Sequence, residues 1–210
     1  MNQKNGKNSL GLDSSFDELD NPIDLFKKWF DKAKNTEIND PNAVALATSN
    51  SKNQPSVRMV LLKGLSDQGF VFYTNFNSKK GNDLNNNQNA SMCFHWKSLR
   101  RQVRIIGEVK KVSDTEADEY YNSRSYGSRI SAWASSQSQP MDSREVLVKK
   151  IEEFKKKYPD ESKVPRPPHW SGWRIQPNQI EFWLDGENRV HERLNFIKKN
   201  EKWIKEILYP

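Results

Sequence analysis

A single cysteine, Cys93, is all this chain of 210 residues has, so no disulfide can form within it and a reducing compartment is the expectation. It lies in the strand-forming run Ala90–Trp96, where a lone thiol reads as a small buried hydrophobe. No apolar run reaches the roughly twenty residues that cross a bilayer. Met1 to Ser15 is polar where a secretory leader would be apolar, so the expectation is a cytoplasmic protein with no membrane partner. The histidines, His95, His169 and His191, are widely spaced and lack an accompanying cysteine or carboxylate pattern, which argues against a metal. No glycine-rich dinucleotide loop is present, which disfavours a Rossmann fold, and no internal repeat is visible.

Apolar residues are also scarce, at 34%, but 7 Trp, 6 Tyr and 10 Phe allow a core in which large rings carry much of the burial. So lean a composition leaves room for a dimer interface. The formal charge of +7 raises the question of a polyanionic partner. Much of the surplus sits in Lys149, Lys150 and Lys155–Lys157, on an amphipathic helix whose other face holds Val146, Leu147, Ile151 and Phe154. A solvated helix face accounts for those lysines. The other cations are scattered singly among apolar residues, which suits small phosphates better than a nucleic acid.

Residues 1–20 lack periodicity and read as a mobile tail; residues 21–210 read as one domain. Asn21-Pro22-Ile23-Asp24 opens a helix with a cap, a proline at the first position and an early acid, and Ile23, Phe26, Phe30 and Ala33 form its buried stripe. From Ala43 the period becomes two, predicting strands over 44–48, 57–62, 70–74, 92–96 and 102–112, with a turn at 66–69. Ser113-Asp114-Thr115-Glu116 is a capping box for a helix through Tyr121, and Ser143 starts the lysine-rich helix. After the extended connector Pro165–Pro168 come strands over 173–184, 190–197 and 203–208. The fold class is mainly β with added helices, in a barrel.

The segment Gln179–Arg193 is the richest in chemistry. Ile180, Phe182 and Leu184 alternate with Glu181 and Trp183, and Asp185-Gly186 supplies a turn, which predicts a β-hairpin. On its returning strand Arg189, His191 and Arg193 would share one face, a cationic row suited to a planar anion or, alternatively, an edge strand guarded by charge. Arg58 and Lys63 bracket Met59, Val60, Leu61 and Leu62; five apart, they fall on opposite faces of an ideal strand. Arg58, Lys79 and Lys80 are phosphate candidates, with Ser78 opening a helix, although from the residues alone a charged loop between Asn75 and Asn82 is the favoured reading. Tyr120, Arg124 and Ser128 are spaced at four, which places the first two on one helical face with a loop to bring Ser128 back. Tyr120 in the core with Arg124 capping its helix is the other reading.

Arg58–Lys63, Tyr73-Thr74, Ser78–Lys80, Arg101–Val103, Tyr120, Ser123-Arg124, Ser128, Ala132-Trp133, Gln137-Ser138 and Arg189–Arg193 occur in an order that resembles the pyridoxamine 5'-phosphate oxidase family, over roughly residues 22–210. The resemblance implies a split β-barrel that binds FMN, in a homodimer with FMN sites at the subunit interface. It implies oxidation of pyridoxamine 5'-phosphate or pyridoxine 5'-phosphate to pyridoxal 5'-phosphate, with hydride passing from C4' to flavin N5. Dioxygen would reoxidise the flavin, releasing hydrogen peroxide, and the amine substrate would release ammonia. The flavin positions it implies are Arg58, Met59, Val60, Leu61, Leu62, Lys63, Tyr73, Thr74, Lys79, Lys80, Gln102, Gln137, Ser138, Trp183 and Arg193. Lys63, Tyr120, Arg124 and Ser128 fall on substrate-phosphate positions. Arg189 and His191 fall on the catalytic positions facing the substrate ring, where orientation is expected to matter more than proton transfer. His191 also fits a half-buried strand histidine bonded to a carbonyl. A non-catalytic carrier of flavin or B6 phosphate on the same fold is the alternative, and it would have no need of Arg189 and His191. Two positions depart from the family pattern: Lys79 stands where arginine is common, and Met1–Asp20 has no clear counterpart of an Arg-x-x-Tyr element that covers the substrate.

Overall fold

The computed structural model describes Leu10, Phe16 and residues 19–210. The first helix, α1 (Pro22–Thr36), starts as its sequence predicts, with the Asn21 side chain accepting the Ile23 N–H at 2.9 Å. It buries Ile23, Leu25, Phe26, Trp29 and Ala33 in the barrel, so the stripe is wider than predicted and Phe30 lies at its partly buried margin. Phe26 wedges among Phe70, Phe94 and Trp96 at centroid distances of 4.9, 5.1 and 5.7 Å, the first two edge to face.

Strands β1 (Ala43–Ser49), β2 (Pro55–Leu61), β3 (Gly64–Ser66), β4 (Gly69–Asn75), β5 (Asn89–Trp96), β6 (Arg101–Lys111) and β7 (Trp170–Leu184) form an antiparallel sheet in the order β2-β1-β5-β6-β7-β4-β3. Its two ends meet just after β2. The Leu62 N–H still bonds back beside β1, to Asn42 O at 2.9 Å, whereas the Lys63 N–H crosses to Val71 O on β4 at 2.8 Å. Strand β7 divides its length. Its first half pairs with β4, from Asn75↔Trp170 to Phe70↔Ile175; its second half pairs with β8 (Glu192–Lys199), from Gln179↔Ile197 to Leu184↔Glu192. The other edge of β7 follows β6 past a bulge at Ile106/Gly107, and β9 (Lys202–Leu208) completes the sheet beyond β8. Gly107 is required there, because a Cβ would lie 2.1 Å from Gln176 O.

Four further helices are α2 (Lys79–Asn86), α3 (Asp114–Asn122), α4 (Tyr126–Ala134) and α5 (Arg144–Lys157). The capping box opens α3, with Ser113 Oγ accepting the Glu116 N–H at 3.2 Å. The helix is pinned to β7 by Arg174, whose Nη2 reaches both Glu116 oxygens at 2.7 and 2.9 Å. Among the described residues no helix is long and apolar enough to cross a membrane.

The strands and most helices match the periodicity, with three corrections. Residues 126–134 form a helix that the pattern did not announce, so Ser128 lies in its first turn and not in a loop. Arg124 follows the end of α3, so it does not share a helical face with Tyr120. The returning strand of the last hairpin begins at Glu192, which leaves Arg189 and His191 in a connection running from Asp185 to His191. The reading of residues 1–20 as a mobile tail falls mainly outside the described residues; Phe16 is buried and stacks on Trp29 at 5.6 Å.

Candidate active site

A cavity of about 400 Å³ opens between β2, β4, α3 and α4. Three cations line it, Lys63, Lys80 and Arg124, and no carboxylate does. That imbalance selects for anionic ligands.

At one end the register of β1 and β2 sets Arg58 opposite Leu46 and Ser56 opposite Thr48. From there the Arg58 guanidinium donates to Leu46 O at 3.1 Å, to Thr48 Oγ1 at 2.7 Å and to Ser56 Oγ. The buried Asp83 carboxylate lies 3.8 Å from it and accepts the Thr48 hydroxyl at 2.7 Å. Lys79, exposed on the first turn of α2, pairs with the same Asp83 at 3.3 Å. Lys80 points inward, 7% exposed, and donates to Thr74 Oγ1, Gln137 Oε1 and Ser78 Oγ at 3.1, 3.2 and 3.4 Å. Burial, with Arg58 nearby, brings its pKa down to about 8. Ser78 caps α2 by accepting the Gly81 N–H at 3.3 Å. Only glycine fits at 81, since a Cβ would lie 2.2 Å from Phe76 O. Arg58 and Lys79 thus share the one carboxylate of Asp83, and Lys80 meets only neutral oxygens, which leaves the cluster with a surplus of positive charge.

At the other end the Tyr73 ring stacks on Tyr120 at 3.9 Å and on Trp170 at 5.3 Å, with planes within 20° and 10°. Burial lifts the Tyr73 phenol to about 12, so it stays neutral. The Arg124 guanidinium lies over the Trp170 ring at 4.7 Å, and its buried Nη1 has no hydrogen-bond partner among the described residues. A buried guanidinium nitrogen left without a partner keeps its capacity to donate a charge-assisted hydrogen bond. Lys63, just past β2, shares this wall; Ser128 does not reach it, its Oγ being engaged by Ser125 at 2.9 Å, and α4 instead offers Ser131, Ala132 and Ser135.

The remaining candidates stand elsewhere on the same chain. Gln102, Trp183 and Arg193 are cross-strand neighbours on β6, β7 and β8, with the His191 ring 4.6 Å from that of Trp183. Strand β7 carries Trp170 at the cavity and Trp183 thirteen residues on, a contour of about 40 Å. Arg189 is exposed with φ 66, after Asn188 with φ 53. The predicted face shared by Arg189, His191 and Arg193 therefore does not form. The tightness of the connection is the reason: a Cβ on Gly186 would lie 1.9 Å from Val190 O, so the chain doubles back there and cannot extend. His191 Nδ1 lies 3.1 Å from Asp185 Oδ1 and 3.2 Å from the Gly186 nitrogen, which is itself 3.0 Å from Asp185 Oδ1. The Gly186 N–H donates to both Asp185 Oδ1 and His191 Nδ1, which ties the imidazole to the turn.

Met59, Val60, Leu61, Lys63, Tyr73, Thr74, Lys80 and Gln137 line the cavity, whereas Arg58 and Lys79 do not. Leu62 is buried in the core, and Ser138 lines a separate groove of about 340 Å³ beside α5. Asp83, Thr48, Asn75 and Trp170 were missed. Asp83 had a sequence signal, an acid four residues after Lys79 in a short helix; Thr48 and Trp170 reach the site only through sheet register.

Residues 30–158 match the family model described as pyridoxamine 5'-phosphate oxidase, and residues 170–210 match a pyridoxine 5'-phosphate oxidase C-terminal dimerisation region. A protein of Pelagibacter ubique named pyridoxine/pyridoxamine 5'-phosphate oxidase is 61% identical, over 98% of this chain and 100% of its own length. One of the same name from Allorhizobium ampelinum is 54% identical over 93% and 95%. Among solved structures, PhzG from Burkholderia lata, crystallised with tetrahydrophenazine-1-carboxylic acid, is 30% identical with a TM-score of 0.87, covering 92% of this chain and 95% of that one. A pyridoxamine 5'-phosphate oxidase-related, FMN binding protein from Nostoc punctiforme shares the fold, with a TM-score of 0.72 at 16% identity over 92% and 99%. By family model, by relatives aligned over nearly their whole length and by its split barrel, this chain belongs to the pyridoxamine 5'-phosphate oxidase family.

Proposed function

We propose that this protein oxidises pyridoxamine 5'-phosphate and pyridoxine 5'-phosphate to pyridoxal 5'-phosphate, with FMN as cofactor and dioxygen as electron acceptor. The observation that carries this reading is a cavity lined by Lys63, Lys80 and Arg124 with no carboxylate on its wall, which fits two phosphorylated aromatic molecules held together. Bound flavin would supply the acceptor for a hydride, which carries both electrons, and would pass those two electrons to dioxygen to give hydrogen peroxide.

This chain's residues bind and orient. Arg58, Lys79 and Lys80 hold the flavin phosphate, and Met59–Leu61 and Thr74 wall its ring. Lys63, Tyr120 and Arg124 hold the substrate phosphate, with Ser128 one turn behind Ser131. Arg189 and His191 face the substrate ring.

The protein is a homodimer, as its match to the dimerisation region supports. We infer that Gln102, Trp183, Arg189, His191 and Arg193 of one copy complete the cavity of the other. Exposed apolar side chains on both parts support this: Val57 and Met59 on β2 are 69% and 63% exposed, and Ile207 on β9 is 84% exposed. A cytoplasmic setting accords with the lone Cys93.

The test is optical. Purified protein is yellow and releases a chromophore with the mass of FMN, and either substrate bleaches it under anaerobic conditions. Unchanged absorbance with both substrates rejects the oxidase assignment.

A further inference from the structure

The Glu181 carboxylate is on the outer face of β7, between Arg104 across β6 and the diagonal Arg193 on β8. An outward-facing acid is ordinarily solvated, yet Glu181 is 2% exposed. Two guanidiniums roof it. Arg193 Nε donates to Oε1 at 2.9 Å and Arg104 Nη2 donates to Oε2. Burial acts to raise its pKa, but the bonds from Arg193 and Arg104 outweigh it and hold the carboxyl below the usual range. Arg193 is further fixed by Nη1, which donates to Tyr209 O at 2.8 Å, while Nη2 donates to no described residue. A bond to Nε sets the guanidinium plane, and a second to Nη1 sets its rotation, so one edge nitrogen remains in a fixed direction beside Trp183.

We propose that Glu181 is a positioning residue for the flavin: it acts through Arg193, holding that guanidinium so that its remaining nitrogen meets the bound cofactor. The role rests on reading Arg193 as a flavin contact. A merely structural carboxylate would stabilise β6–β7–β8 whatever stood at 193.

The two are separated by a double-mutant cycle on full-length protein stripped of flavin and titrated with FMN, followed by quenching of flavin fluorescence. Glu181→Gln weakens FMN binding about ten-fold or more when Arg193 is present, the scale of one charge-assisted hydrogen bond. In an Arg193→Gln background the same change costs less than about two-fold, because the residue it acts through is gone. Should Glu181→Gln fold poorly, Glu181→Asp is carried through the same cycle and gives the same dependence on Arg193 at smaller size. Equal weakening in both backgrounds overturns the proposal in favour of a structural role, and unchanged affinity with Arg193 present overturns it outright. Unchanged affinity of Arg193→Gln alone removes the reading of Arg193 itself, and the proposal with it.

Discussion

Lys79 and Lys80 are adjacent in sequence and opposite in surroundings: the Lys79 ammonium lies 3.3 Å from the Asp83 carboxylate, whereas Lys80 donates only to the oxygens of Thr74, Ser78 and Gln137. Lys80 thus has no carboxylate partner among the described residues. Its pKa is about 8 when folded against 10.5 in an unfolded chain, so between those values the unfolded state binds more protons. The flavin-free protein therefore gains stability from Lys80 as pH rises from 8 to 10.5, and below 8 carries the full cost of a buried charge. Binding of an anion favours the protonated form, so FMN affinity falls over the same rise. Thermal midpoints and FMN titrations against pH, compared between the parent and Lys80→Met, should show both trends in the parent only.

Removing Asp83 leaves Arg58 with no carboxylate in a buried site. Asp83→Asn should cost about 3 kcal/mol of stability in the flavin-free protein, measured by urea unfolding. FMN or inorganic phosphate should recover part of the loss, since either supplies the missing negative charge.

Arg124 offers a buried nitrogen with no hydrogen-bond partner among the described residues. Arg124→Gln should raise KM for pyridoxine 5'-phosphate by roughly ten- to a hundred-fold, the scale of one to two hydrogen bonds to a charged group. Steady-state kinetics with unphosphorylated pyridoxine is the control, and its slow oxidation should be unchanged.

Arg189 makes no contribution to the core, being exposed in a tight connection. Arg189→Ala should retain FMN and thermal stability while kcat/KM falls by about a hundred-fold, in line with lost orientation of the reacting carbon. A protein that only carried the ligands would keep its affinity in equilibrium dialysis and would show no turnover to lose.

Met59 places an exposed apolar side chain on the edge strand β2, beside Val57 and Leu61. Met59→Glu should shift the sedimentation coefficient from dimer to monomer and release FMN at the same concentration of protein. A monomer that kept its flavin would contradict a site shared between copies.

Most of the scaffold was legible because it obeys simple periods. Alternation over Ala43–Ser49 and Arg101–Lys111, the cap at Asn21 and the box at Ser113 are local signals, and each element formed within a few residues of its expected bounds. Helix α4 was hidden, since Gly127 and Ser128 lie in its first turn and its buried residues, Arg129, Ile130, Ala132 and Ala134, include one large apolar side chain and so carry little periodic signal. The connection around Arg189 was misread because alternation assumes extended backbone, and left-handed residues at Asn188 and Arg189 break it. Of the site, the cations were legible as a set, but their partition into two clusters depends on strand register and on α3 reaching β7 through Arg174 and Glu116, contacts 58 residues apart in sequence.

Because β7 carries Trp170 near one end and Trp183 near the other, damage to the two ends is not equivalent when subunits are mixed. Under the proposed sharing of residues between copies, pairing a subunit bearing Lys80→Met with one bearing Arg193→Gln would place both lesions in a single composite centre and assemble the other from unaltered halves. Two inactive homodimers, unfolded together and renatured, should then yield hybrids that work at half strength.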